Sequence, residues 1–93
     1  MNNNSSLPLP LILKYLNSRR EELADLKNSK LELKTIVHKI RGNAATFGLP
    51  QLGIIAGQIE EALMANPNQL NALEQLTNQM KLEVEFQISQ IQI

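Results

Sequence analysis

Ninety-three residues with a formal net charge of zero are too few for two domains and enough for one modest apolar core. Apolar residues at 43% and charged residues at 19% suit a soluble globular chain with no compositional bias toward disorder, and the lack of cysteine excludes disulfides and thiolate chemistry. Aromatics are only 3%, so leucine and isoleucine must build the core, which favours helices over a β-sandwich. The charge is unevenly spread: eight basic against four acidic residues through Arg41, then one against five. Such asymmetry suits an oriented surface that meets an acidic partner, and equally two ordinary solvated faces.

Taken in chain order, Met1–Ser6 is polar and non-periodic and reads as a mobile tail, leaving residues 7–93 as the domain. "LPLPLIL", Leu7 to Leu13, has no basic residues before it and is broken by two prolines, so it reads as neither signal peptide nor membrane span. The expected location is the cytoplasm. A first helix is predicted from about Leu11 to Lys27, with Ile12, Leu16, Leu23 and Leu26 inward. Ser29 and Glu32 form a Ser-x-x-Glu capping box for a second helix, Lys30 to Thr46, whose apolar stripe is Leu33, Ile36, Val37, Ile40, Ala44 and Phe47.

Gly48 suits the end of that helix and Pro50 the first turn of a third, Pro50 to Ala65, with Leu52, Ile55, Ala56, Ile59 and Leu63 on one side. Asn66 and Pro67 then cap a fourth helix, Pro67 to near Gln90, with Leu70, Leu73, Leu76, Met80, Val84 and Ile88 inward. "EVEFQISQIQI" alternates like a strand and is the one place where the helical pattern has a competitor. Four amphipathic helices with short connections predict an all-α, antiparallel up-and-down four-helix bundle.

The second helix carries the only histidine, His38. On a wheel of 100° per residue it lies about 150° from the core direction, so a core histidine satisfied by internal hydrogen bonds is set aside. Its face also holds Lys34 and Thr35 one turn back, Arg41 and Gly42 one turn on, and Ala45 beyond. Glycine in a helix interior costs roughly 1 kcal/mol against alanine. Gly42 is therefore explained if another protein must approach this face closely. Gln51, Gly53 and Gly57 of the third helix could border such a docking surface, whereas Lys39 lies on a different side.

Neutral imidazole, with an unperturbed pKa of about 6.5, is a good nucleophile near neutral pH. Phosphoryl transfer needs mainly positioning and positive potential, which Lys34 and Arg41 are placed to supply. The chain has no Gly-rich phosphate loop and no carboxylate cluster for magnesium, so it reads as half a site, with the donor's machinery on a partner. A lone histidine has no metal-ligating companion at suitable spacing, so no metal or cofactor of its own is expected.

"VHKIRGNAATFGLPQL", Val37 to Leu52, resembles the signature of histidine-containing phosphotransfer (HPt) domains: His-x-x-Lys-Gly, small residues, glycine, then a leucine-rich helix. His38, Arg41, Gly42, Ala45, Phe47, Gly48, Leu49 and Leu52 occupy its positions. The resemblance implies a phosphocarrier and not an enzyme. His38 accepts a phosphoryl group from a response-regulator receiver aspartate, including that of a hybrid sensor histidine kinase, and passes it to another receiver. The receiver brings Mg²⁺. Arg41 stands in place of the usual lysine beside the phosphoryl oxygens, Gly42 gives clearance, and Phe47 and Leu52 are packing residues. By their place on the His38 helix face, Lys34 and Ala45 are expected to border the docking surface, and the domain is expected to act as a monomer.

Other classes fit less well. A nucleic-acid module is disfavoured by zero net charge and scarce basic or aromatic clusters. A non-catalytic helical interaction module leaves Gly42 without a reason. A histidine kinase's dimerisation domain needs an attached ATP-binding domain that this chain lacks.

Overall fold

The computed structural model describes residues 7–26, 30–65 and 70–91. These form four helices, α1 (Leu9–Ala24), α2 (Lys30–Asn43), α3 (Pro50–Ala65) and α4 (Leu70–Ile91), and no strand occurs among the described residues. The protein is an all-α four-helix bundle. Each helix packs against two others, in the ring order α1, α2, α3, α4 and back to α1. Tyr15 meets Asn43 and Glu22 meets Lys39, so partners descend along α2 as numbers rise along α1. The same inverse order links α2 to α3, through His38 with Glu60 and Ala44 with Gly53.

The expected stripes are the core. Leu16, Leu23, Val37, Ile40, Leu52, Ile59, Met80 and Val84 are fully buried, and no polar or charged side chain is buried among the described residues. Leu26, Phe47, Leu63 and Leu76 pack at the margin. An apolar core of this kind is the main support of the bundle, at about 25 cal/mol per Å² of apolar surface removed from water. No helix among the described residues is long and apolar enough to cross a membrane.

The ends of two helices differ from expectation, both ends of α1 and the last turn of α2. α1 starts at Leu9 and stops at Ala24. Pro8 is its N-cap, in extended conformation, with its carbonyl accepting from Leu11 and Ile12 N–H. Pro10 then occupies the first turn, where a proline's fixed φ and missing N–H cost nothing. α2 ends at Asn43 instead of Thr46. The next residues close in a Schellman turn: Leu49 N–H donates to the Ala44 carbonyl at 2.9 Å and Gly48 N–H to that of Ala45 at 3.0 Å. Gly48 takes φ 72°, the left-handed region in which a Cβ is strained.

α3 has the predicted bounds. The alternating C-terminal segment is helical, because Met80, Val84 and Ile88 recur every four residues and bury together. Packing of that stripe overrides the local alternation. The tail Met1–Ser6, the capping serine Ser29 and the Asn66–Pro67 cap lie outside the described residues.

One core member was not legible in the periodicity. Tyr15 is buried, its ring stacks on Phe47 at 4.0 Å between centroids, and the Arg19 guanidinium lies 4.8 Å from it. Burial pushes its hydroxyl pKa above the ordinary value. That hydroxyl donates to Asn43 Oδ1, which ties α1 to the last residue of α2, just beyond Arg41 and Gly42.

Candidate functional site

The rotation of α2 is set by its buried side. Leu33, Ile36, Val37, Ile40 and Ala44 face the core, so Lys34, His38, Arg41, Gly42 and Ala45 are all exposed on the other side. The His38 side chain is 80% exposed. Structure and wheel agree on where it points.

The periodicity of α2 gave no sign of the acid beside it. Glu60, on α3, is only 12% exposed and its carboxylate is shared between two partners. Oε2 lies 2.9 Å from His38 Nδ1, and Oε1 accepts from Arg41 Nη1 at 2.8 Å. The imidazole is therefore not simply set between two cations. It is tethered to a carboxylate that also holds one of them. An ionised carboxylate only accepts, so Nδ1 carries the proton of the neutral ring, and the lone pair falls on Nε2.

Small residues on α3 bring the helices together. A Cβ on Gly53 would stand 3.3 Å from Ala44 Cβ, tighter than nearly all real contacts, so this glycine serves close α2–α3 packing. A Cβ on Gly57 would meet Arg41 Nε at an ordinary 3.8 Å. Gln51 lines the groove between α3 and α4 instead, with Ile55, Leu82 and Phe86. Gly42 is the opposite case to Gly53: a Cβ there would have nothing within 4 Å. The fold does not require glycine at that position.

Electrostatics follow from the shared carboxylate. The Arg41 hydrogen bond first, and that of His38 second, hold the Glu60 carboxyl below its ordinary 4.5. The same bond raises the Arg41 guanidinium. Lys34 makes no ion pair among the described residues, whereas Lys39 is drawn to Glu22 at 3.3 Å on the α1 side. Among the described residues no group of three or more His, Cys, Asp or Glu side chains could hold a metal ion.

A carboxyl held low contributes stability that is whole above its ordinary pKa and is lost as pH falls through the depressed value. Glu60→Gln is expected to melt roughly 2–4 °C below wild type near neutral pH. The gap should close as pH falls below 4.5, where Glu60 in the wild type takes up its proton. Thermal melts of both proteins across that range check this. A gap that persists in acid assigns the loss to side-chain shape and not to charge.

An exposed histidine with a bare Gly42 one turn away is what the HPt resemblance implies, and the Glu60 bond to Nδ1 is what the structure adds to it. The family model described as Hpt domain matches residues 11–90. The chain belongs to the Hpt family. No curated protein and no solved structure matched it. As an Hpt domain it is a phosphotransfer component of two-component signalling, a carrier and not a catalyst, in pathways whose members include receiver domains. The match takes in all four helices and the whole Lys34–Ala45 face.

Glu60 had a signal in the sequence. The α2–α3 turn closes at Gly48–Leu49, and His38 and Glu60 each lie eleven residues from Leu49. Counting outward from that turn places the two at one level of the neighbouring helices, without fixing which side chains meet.

Proposed function

We propose that His38 carries a phosphoryl group on Nε2, accepted from a receiver's aspartyl phosphate and passed to the aspartate of another receiver. The observation that supports this is the Glu60 bond to Nδ1 on a side chain 80% exposed. It fixes the ring with Nε2 outward. In the accepting step the Nε2 lone pair forms the N–P bond while the P–O bond to the receiver's aspartate breaks, and the electron pair stays on that carboxylate. The ring releases no proton, because Nδ1–H remains on Glu60. The phosphorylated ring gains positive charge, which the Glu60 carboxylate opposes at hydrogen-bond distance. Handing on reverses these bonds.

Arg41 uses Nη1 on Glu60 and turns its remaining donors to the phosphoryl oxygens. Lys34 adds positive potential from the preceding turn. Gly42 and Ala45 leave the receiver room to bring its aspartate and its Mg²⁺ to Nε2. On this reading the chain works as a cytoplasmic monomer, fed by a hybrid sensor kinase or a separate receiver.

The test is transfer from a panel of aspartyl-phosphorylated receiver domains, with phosphorus NMR of the product. Acid-labile, base-stable label with the Nε2 phosphohistidine signal is expected. A folded bundle that no receiver labels would make this a non-catalytic helical interaction module.

A further inference from the structure

The two most exposed large apolar side chains among the described residues are Met64 at 81% and Leu31 at 75%. One exposed leucine is ordinary on any surface. These two share a location. Leu31 precedes His38 by seven residues, two turns back along the same face of α2. Met64 follows Glu60 by four residues, one turn further along the stripe of α3 that carries Gly53, Gly57 and Glu60. Because α2 and α3 pair inversely, with residue numbers summing to about 98 at His38–Glu60 and Arg41–Gly57, the position facing Met64 is Lys34. Leu31 is the next exposed residue beyond it on that face.

We infer that Leu31 and Met64 form the apolar end of the receiver's docking footprint, and so help decide which receivers this chain serves. The inference rests on the proposed relay reaction. That reaction requires an aspartyl phosphate to touch Nε2, so the body carrying it must cover the surface around His38. A standard interface takes about 800 Å² from each partner, a disc of roughly 16 Å radius. Leu31 lies about 10 Å from His38 along the helix, and Met64 about 6 Å from Glu60, so both fall inside such a disc.

Charge favours the same occupant. A receiver that holds Mg²⁺ must present acidic oxygen ligands beside its aspartate, because Mg²⁺ takes oxygen donors. Lys34 and Arg41 lie on this face near the centre of the disc; the Glu60 carboxylate offsets the Arg41 charge, and Lys34, with no ion pair among the described residues, is the cation left to meet those ligands. The footprint then has an apolar end at Leu31 and Met64, a cationic centre, and a bare end at Gly42 and Ala45. An apolar end anchors, and clearance at the other lets the aspartate reach Nε2.

The experiment measures kcat and KM for transfer from a phosphorylated receiver that labels the wild type. It compares the double variant Leu31→Ser/Met64→Gln with Leu82→Ser, whose target is 70% exposed on α4 beside the α3–α4 groove. The double variant is expected to raise KM roughly tenfold with kcat nearly kept, and Leu82→Ser to change neither. Thermal melts show whether each variant is folded, and Leu31→Ser and Met64→Gln tested singly replace the double variant if it is not. An unchanged KM in folded Leu31 and Met64 variants overturns the docking assignment and leaves the relay reading standing. An equal rise in Leu82→Ser also overturns it, by showing that apolar loss anywhere suffices. If no receiver labels the wild type, the relay reading itself fails and the footprint falls with it.

Discussion

His38→Gln is expected to fold like the wild type and to take no phosphoryl group from any receiver. The side chain is 80% exposed and, among the described residues, its one tertiary bond runs to Glu60. Surface changes of this kind usually move stability by no more than about 0.5 kcal/mol. The glutamine amide can still donate to Glu60, so even that bond has a substitute. What glutamine lacks is a nucleophilic lone pair, and nothing else on the face offers one: Lys34 and Arg41 are cations and Thr35 is an unactivated hydroxyl that donates to the Leu31 carbonyl. The loss of transfer should be complete, at least on the order of 10³-fold. Receiver-dependent labelling beside a thermal melt checks both halves. Label that survives in the variant would move the phosphorylated residue elsewhere.

Gly42→Leu should separate fold from function by moving them in opposite directions. A leucine Cβ there meets nothing within 4 Å, and leucine is the better helix former by up to about 1 kcal/mol. The variant should melt at the wild-type temperature or above it. The added side chain, however, stands one turn from His38 where the receiver must close, and transfer should fall roughly 100-fold, the effect of about 2.7 kcal/mol lost at the encounter. Melting temperature and transfer rate on the same preparation make the test. A fall in both would mean that glycine serves the bundle after all, and unchanged transfer would remove the clearance role.

Much of this protein was open to reading from residue order. Apolar residues at spacings of three and four defined four helices, and buried Ile36, Val37 and Ile40 are the reason His38 had to point outward. A helix has one rotation once its apolar side is committed, so the exposed site followed from the core. The Gly48 turn and the start of α3 at Pro50 came from single residues with restricted or unusual backbone preferences. The ends of α1 and α2 were less legible. There, short-range bonds such as those to the Pro8 and Ala44 carbonyls decide the boundary, and periodicity does not encode them.

Tyr15 and Glu60 mark the remaining limit. Both act through partners nineteen or more residues away, Tyr15 on Asn43 and Phe47, Glu60 on His38 and Arg41. Sequence by itself determined which helix presents the histidine, which way it faces, and that Gly42 sits bare beside it. The tertiary structure alone decided that a carboxylate from α3 reaches Nδ1, that Arg41 shares it, and that Leu31 and Met64 stand on one face with them. The reason is physical: residue spacing governs contacts within a helix, whereas contacts between helices depend on register and on the close approach that Gly53 permits.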